Sequence, residues 1–374
     1  MTDTVYMDHN ATTTVRPEAA SAVCEALALT GNASSVHRHG RLARRLIEDA
    51  RDEVAALVGA SPNDVIFTGC GTEANNLALL GVAVDHRFVS AIEHPSVLQA
   101  ADGATPLAVD DNGIIDLAAL QALLSAASGR SLVSVMLANN ETGVIQPVAD
   151  VVRIAEAHGA LVHCDAVQAA GKMAVDMGAL GVDLLSLSAH KIGGPQGVGA
   201  LLVKPGLEIK AQLKGGGQER RLRAGTENVA GIAGFGAAAK AVLAGLEAMA
   251  ELASWRDLLV TGVRQLTHTR VYGEAVDRLP NTVCLAMPGV PAETQLMAFD
   301  LAGVCVSAGS ACSSGKIEPS HVLAAMGVND DEALTAIRVS LGWNSKKADI
   351  DRFVDAWGAI FARAGNGQTR AMAG

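Results

Sequence analysis

Lys191 closes the tetrapeptide Ser188-Ala189-His190-Lys191, behind the apolar run 183–188 and ahead of the glycine-rich stretch Gly193-Gly-Pro-Gln-Gly-Val-Gly199. A lysine at the carboxyl end of a strand stands where open parallel sheets gather their ligands. A primary amine there can bond to a carbonyl carbon, although a lone lysine reads equally as a solvated surface cation. Asp165 ends another apolar run, 160–164, with Gln168 three residues on. A carboxylate so placed can keep a ring nitrogen protonated and electron-withdrawing, or it can simply cap a helix. The third group is Thr68-Gly-Cys-Gly-Thr-Glu-Ala-Asn-Asn76, where glycines precede Thr72 at the expected start of a helix. Free backbone N–H groups and the helix dipole make such a turn a phosphate cradle. It matches neither the Walker-type loop nor GxGxxG. Amine anchor, electron sink and phosphate grip within one chain together suit pyridoxal 5'-phosphate.

These groups need strands whose carboxyl ends point the same way. From about 64 to 205 the apolar runs 65–67, 88–91, 132–137, 160–164, 183–188 and 199–203 alternate with helix-period stretches, notably 73–84 and 148–157. That alternation predicts an α/β fold with a mostly parallel sheet and helices on both faces. Helices are also expected at 17–29 and 41–58, the second with Leu42, Leu46, Ile47, Val54, Leu57 and Val58 near one face. A long helical stretch at 227–268 leads out of the large domain. Strand-like runs at 282–286 and 304–307 then alternate with helices to about 363, as in a smaller α+β domain joined by the N-terminal segment. The expected division is a large cofactor-binding domain over 16–255 and a small domain of 1–15 plus 256–374. The tail GNGQTRAMAG is expected to fray.

The chain has 374 residues, of which 49 % are hydrophobic and 18 % charged, as in a well-buried globular enzyme. A net charge of −10 with no long basic run argues against nucleic acid as a partner. The first ten residues hold neither a basic nor an apolar signal region. No uninterrupted apolar run is long enough to span a bilayer. Six cysteines without a CxxC pair make no disulfide framework, and reduced thiols in a cytoplasmic protein are expected.

Five of those cysteines read as inert packing: Cys24 in an apolar helix, Cys70 in the tight turn, and Cys164, Cys284 and Cys305 in strand-like runs. Cys312 differs. It stands in Ser307-Ala-Gly-Ser-Ala-Cys-Ser-Ser-Gly315, a run of small residues ahead of a helix expected from Pro319. Such a loop can carry a thiol toward a ligand and away again.

With these groups in order along the chain, the sequence resembles the cysteine desulfurases of the NifS/IscS type, class V aminotransferase-fold enzymes. The resemblance runs from Met7-Asp8-His9-Asn10-Ala11-Thr12-Thr13 to Ile337-Arg338-Val339-Ser340-Leu341-Gly342. Between lie Gly31-Asn-Ala-Ser-Ser35, Glu93-His94-Pro95-Ser96, Asn139-Asn-Glu-Thr-Gly143, Gly215-Gly-Gly-Gln-Glu219, Arg223-Ala-Gly-Thr-Glu227 and Gly309-Ser-Ala-Cys312. It implies an aspartate aminotransferase-like fold with a seven-stranded sheet and pyridoxal phosphate as cofactor. Lys191 would bond to the cofactor and move the substrate Cα proton. Asp165 would pair with the ring nitrogen, Gln168 would donate to the ring hydroxyl oxygen, and His94 would stack on the ring and assist proton transfer. Asn140 would sit beside ring and substrate. Gly71, Thr72, Ser188 and His190 would bind the phosphate, completed by Thr226 from the other subunit of a homodimer. Arg338 would fork onto the substrate carboxylate.

The implied reaction takes sulfur from L-cysteine, leaving L-alanine and a persulfide on Cys312, whose thiolate is the nucleophile. The stretch from Ser313 to His321 resembles the long-loop group, which hands sulfur to iron–sulfur scaffold proteins. Cys312 could also lend a transient cluster ligand. The stretch CSSGKIEPSHVLAAMG leans toward the nitrogen-fixation branch. Alternatives are a selenocysteine lyase, another enzyme of the fold such as an aminotransferase, and a non-catalytic cofactor-binding protein. A retained Lys191 speaks against the last.

Overall fold

Twelve strands form among the residues described by this computed structural model, which are 4–309 and 318–371. In chain order they are β1 (Val5–Tyr6), β2 (Val65–Thr68), β3 (His86–Ser90), β4 (Thr105–Leu107), β5 (Ser131–Ser134), β6 (Leu161–Asp165), β7 (Leu184–Ser188), β8 (Gly199–Val203), β9 (Thr282–Ala286), β10 (Val304–Cys305), β11 (Ser307–Ala308) and β12 (Ala336–Ser340). A seven-stranded sheet has the order β2-β8-β7-β6-β5-β3-β4. The pairings from β7 to β4 are parallel, and only β8 runs against its neighbours. The sheet is therefore mostly parallel, as the alternating pattern predicts. Strands β5 to β8 are fully buried, save half-buried Leu161 at the start of β6, and consist mainly of Val, Leu, Ala and Ser, with His163, Cys164 and Asp165 closing β6. That is what a sheet covered on both faces requires.

The register decides the site. Asp165 pairs with Ser186, so β6 and β7 end close together. Ser188 pairs with Gly199, where an added Cβ would meet the Cys70 and Leu187 backbone within 3 Å. Glycine there lets the turn after β2 lie against β7. The chain leaves β2 straight into the helix Gly71–Gly81 and leaves β7 into a short 3-10 turn, Ala189–Lys191. Both departures open at the carboxyl end of β7.

A second core lies apart from the sheet. It joins Val5 and Met7 to Leu259, Val263, Phe299, Phe353 and Trp357. Phe299 and Phe353 stack at 5.0 Å between centroids. Strand β1 pairs in parallel with β10, and β12 pairs antiparallel with β11 and β9. The N-terminal segment thus threads from this second core, past Asn10 and Thr13, to the end of β7.

Several expectations shift. The helix expected from 41 begins at Arg38, because the His37 side chain accepts from the Gly40 N–H and caps it. The helix expected to open at Thr72 opens at Gly71. The stretch 227–268 breaks into Val229–Gly245 and Glu251–Leu266 around a 3-10 turn at Leu246–Ala250. Val229–Leu266 is apolar and long enough to cross a membrane, yet 50 % of its most apolar window is buried inside the fold. It is a core helix. The tail expected to fray from 365 is instead helical to Ala371, as the end of the helix Lys347–Ala371. Cys24 is exposed rather than packed, because its helix buries only Ala19 and Ala26.

Candidate active site

Lys191 sits in the turn beyond β7, half-buried. Its Nζ donates to the carbonyl of Asn10 and, at 2.9 Å, to that of Ala11. Burial and then the Arg338 guanidinium push its amine down to about 8. Asp8 and Asp165 pull the other way and lose. The amine is therefore far closer to its free, nucleophilic form at neutral pH than an ordinary lysine.

Asp165, at the end of β6, is buried and accepts from Asn75 Nδ2 at 2.7 Å and from the Val167 N–H at 2.9 Å. Asn75 also donates to Ser96 Oγ at 2.9 Å. Ser96 in turn shapes His94, whose Nδ1 accepts from the Ser96 N–H at 3.1 Å. That contact leaves Nε2 as the protonated nitrogen of a neutral ring. Burial, acting first, lowers the His94 pKa, with Lys191 and His321 adding and Asp165 opposing. A flat, uncharged imidazole suits stacking on an aromatic ligand.

The turn after β2 leaves its helix uncapped: the helix Gly71–Gly81 has Cys70 as N-cap with no side-chain hydrogen bond. Its first N–H groups are left to a ligand. Ser188 Oγ is buried without a partner beside it, and an added Cβ at Gly71 would meet Ser188 and Val167 at 3.3 and 3.1 Å. An uncapped helix start, an orphaned hydroxyl and a backbone kept bare all fit a phosphate group. Asp165 across the cavity fits a protonated ring nitrogen, and Lys191 fits an aldehyde carbon.

A cavity of about 210 Å³ joins these groups. Gly71, Thr72, His94, Asn140, Asp165, Gln168, Ser188, His190 and Lys191 all line it. Gln168 Nε2 donates to the Asn10 carbonyl at 3.0 Å. His190 is hydrogen-bonded to Thr12 Oγ1 at 3.2 Å, and burial takes it down to about 4. Two expected residues are not in the lining. Arg338, on β12, donates to Asp8 Oδ1 at 2.7 Å and to the Asn140 carbonyl at 3.1 Å, while its Nε is buried without a partner. Thr226 is exposed and lines a separate cavity of about 110 Å³ with Arg223 and Glu227. Cys312 lies outside the described residues. Cys70, expected to be packing, lines the cavity itself. Cys164 and Cys284 are buried, and burial raises both thiols well above their usual range.

Sequence reasoning gave no role to Asn75, Asn10 or Lys172. Asn10 and Asn75 stand inside quoted motifs, but an asparagine declares nothing until its partner is known. Among the described residues no group of three or more His, Cys, Asp or Glu side chains forms a metal site.

A lysine, a buried carboxylate, an imidazole and an uncapped helix start, set around one cavity at the carboxyl edge of a mostly parallel sheet, suit a pyridoxal-phosphate enzyme of the aminotransferase fold. The model of the Aminotransferase class-V family matches residues 5–353, and the chain belongs to that family. The chain is 39 % identical to a cysteine desulfurase of Trichormus azollae, covering 96 % of this chain and 93 % of that one. It is 42 % identical to a cysteine desulfurase of Cereibacter sphaeroides, covering 94 % of each. The crystal structure of a NifS-like protein from Rickettsia africae superposes with a TM-score of 0.90 at 35 % identity, over 96 % of this chain and 100 % of that one.

Proposed function

We propose that this protein is a cysteine desulfurase: L-cysteine and the Cys312 thiol give L-alanine and a Cys312 persulfide. The C–S bond of the substrate breaks as an S–S bond forms, and the thiol protons end on the alanine methyl group and the persulfide, so no outside oxidant is needed. The observation that carries the reading is the convergence of Lys191, Asp165 and the uncapped Gly71 turn on one cavity, in a chain whose relatives are named for that activity.

When bound, pyridoxal phosphate supplies an electron sink that loosens the substrate Cα–H bond. The protein's residues do the rest. Asp165, fixed by Asn75 and the Val167 N–H, holds the ring-nitrogen proton. Gly71, Thr72, Ser188 and His190 hold the phosphate, and His94 covers the ring face. Gln168 donates to the ring hydroxyl oxygen. Lys191, free as an amine, takes the Cα proton and returns it, a role worth ~10²–10⁴-fold in rate. Asn140 and Arg338 orient the substrate, with Arg338 forking onto its carboxylate after yielding Asp8. Cys312 attacks the substrate sulfur as thiolate.

Residues 16–255 form the cofactor-binding unit in this reading, and 1–15 with 256–374 the unit that bears the cysteine. Thr226, exposed between Arg223 and Glu227, serves the phosphate site of a second copy, which makes the enzyme a homodimer. The persulfide passes to an iron–sulfur scaffold or another acceptor protein in the cytoplasm. Nitrogenase-dedicated supply is the branch favoured by the stretch after Cys312.

Alanine release tests the reading. Wild-type protein loaded with cofactor forms alanine from L-cysteine, Lys191→Ala abolishes both alanine and the visible band of the lysine-bound cofactor, and Cys312→Ser keeps the band while losing alanine. A Cys312→Ser variant as active as wild type would sink the sulfur-transfer scheme.

A further inference from the structure

One buried carboxylate meets the chain on both sides of Cys312. Strand β11 delivers the chain to Gly309, and beyond Cys312 Ser320 caps the helix His321–Ala325. Glu141 is buried, and its Oε2 accepts from Ser320 Oγ at 2.5 Å. A Cβ added at Gly309 would lie 2.5 Å from that same oxygen and 3.7 Å from the Ser320 Cβ. Gly309 is not among the glycines with positive φ. Glycine there answers to the closeness of Glu141, not to a demand of the backbone.

The turn that carries Glu141 also carries substrate-facing groups. Asn139 Oδ1 accepts from the Glu141 N–H at 2.9 Å and the Thr142 N–H at 3.0 Å, and Asn139 Nδ2 donates to the Ile92 carbonyl at 3.0 Å. Asn140 lines the cofactor cavity, and its carbonyl accepts from Arg338. Ser307 of β11 pairs with Arg338 on β12. On the far side, His321 Nε2 donates to the Glu93 carbonyl at 2.9 Å, one residue before His94. Val322 and Leu323 pack with Ile92 and Cys284. Apolar contact thus holds the short helix in place, while the bond from Ser320 to Glu141 directs the chain that enters it.

We propose that Glu141 is a positioning residue for sulfur transfer: it holds Gly309 and Ser320 together and so fixes the two ends from which Cys312 reaches the substrate sulfur. This rests on the reading of Cys312 as the sulfur acceptor. A tether with fixed ends sets the effective concentration of the group it carries, and a misplaced reacting group is costly even when the change lies away from the chemistry.

The test uses full-length protein loaded with cofactor and mixed once with L-cysteine. Stopped-flow absorbance of the visible band reads cysteine joining the cofactor, and peptide mapping of quenched samples reads sulfur arriving on Cys312. In Glu141→Ala and in Ser320→Ala the band changes within about twofold of the wild-type rate, while sulfur arrives about tenfold to a hundredfold more slowly. Ser320→Thr keeps a hydroxyl both for Glu141 and for the Leu323 N–H that Ser320 caps, and it restores the transfer. Because the residues act through one contact, the double variant Glu141→Ala/Ser320→Ala is no slower than its slower parent. Gly309→Ala slows transfer in the wild-type background and adds nothing in Glu141→Ala. The Ser320→Ala and Ser320→Thr pair keeps the test usable if Glu141→Ala fails to fold. Transfer at the wild-type rate in Ser320→Ala and Glu141→Ala overturns the inference. Equal slowing of band change and transfer also overturns it, since Glu141 would then only support the fold. Wild-type protein that forms alanine with no sulfur on Cys312 overturns the underlying reading of Cys312, and the inference with it.

Discussion

At the scale of single residues, the site works by withholding water from charges. Lys191 loses its proton near 8 rather than at the ordinary 10.5, because burial and Arg338 disfavour the ammonium. The free amine therefore grows as pH rises through about 8, and capture of pyridoxal phosphate by cofactor-free protein should speed up until then and level off beyond it. Stopped-flow absorbance checks this, and a rate still climbing toward 10.5 contradicts it. Asn75 supplies the only side-chain donor to Asp165 among the described residues. Replacing it with leucine removes a hydrogen bond to a charged group, about 1.5–3 kcal/mol, so cofactor affinity measured by absorbance titration should fall roughly tenfold to a hundredfold. Lys191 and Asp165 were legible in the sequence because a strand end is a position that periodicity locates. Asn75 was not, because its partner lies 90 residues away and nothing local announces the meeting.

At the scale of elements, a strained segment is stapled to the phosphate turn. Glu219, Arg220 and Arg221 all have left-handed φ values, 40°, 56° and 66°, which side-chain-bearing residues adopt only when held. Glu219 is the holder. It is buried and accepts from Arg51 Nη1 and Nη2 and from the Phe67 N–H, each at 2.9 Å. Four residues later Arg223 Nε donates to Glu73 at 2.8 Å, and Glu73 also accepts from the Gly69 N–H. The Arg51–Glu219 pair thus ties the 218–223 segment to the helix Arg38–Leu57, the Phe67 N–H ties it to β2, and the Arg223–Glu73 pair ties it to the helix Gly71–Gly81. Arg51→Met would leave the Glu219 carboxylate buried without its cation, at a cost of about 3–5 kcal/mol; urea unfolding that loses less than about 1 kcal/mol contradicts the assignment. Sequence pattern found the apolar strands of the large sheet from β5 to β8 and the amphipathic helices, whose periodicity is set by the face they bury, but not β12, a buried strand that the charged Arg338 interrupts. It missed β4, three residues with Pro106 and two of them exposed, and it missed this staple, since charge pairing between distant segments leaves no period.

At the scale of the whole molecule, buried histidines sit in separate places: His9 on the N-terminal segment and His163 in the large sheet on β6, bonded to Ser134 and Ser186. Burial takes both His9 and His163 down to about 4. Below about 6.5 the unfolded chain binds protons at these positions that the folded protein refuses, so stability is lost as pH falls from 6.5 toward 4. Melting temperature should decline across that window, and less steeply in His163→Asn; an unchanged slope contradicts the role of His163. Light scattering should give twice the chain mass if the exposed Thr226 serves a second copy as proposed; a mass of one chain would contradict that proposal. The fold class and most of the cavity lining could be anticipated from ordered motifs, whereas the asparagine hub at Asn10 could not, because it exists only where the N-terminal segment crosses from one core to the other. What matters most is where the sulfur goes. Incubating loaded protein with L-cysteine and mapping its peptides by mass spectrometry should find one added sulfur, about 32 Da, on the peptide holding Cys312. Sulfur on Cys70, the cysteine that lines the cavity, or on no cysteine at all, would contradict the account.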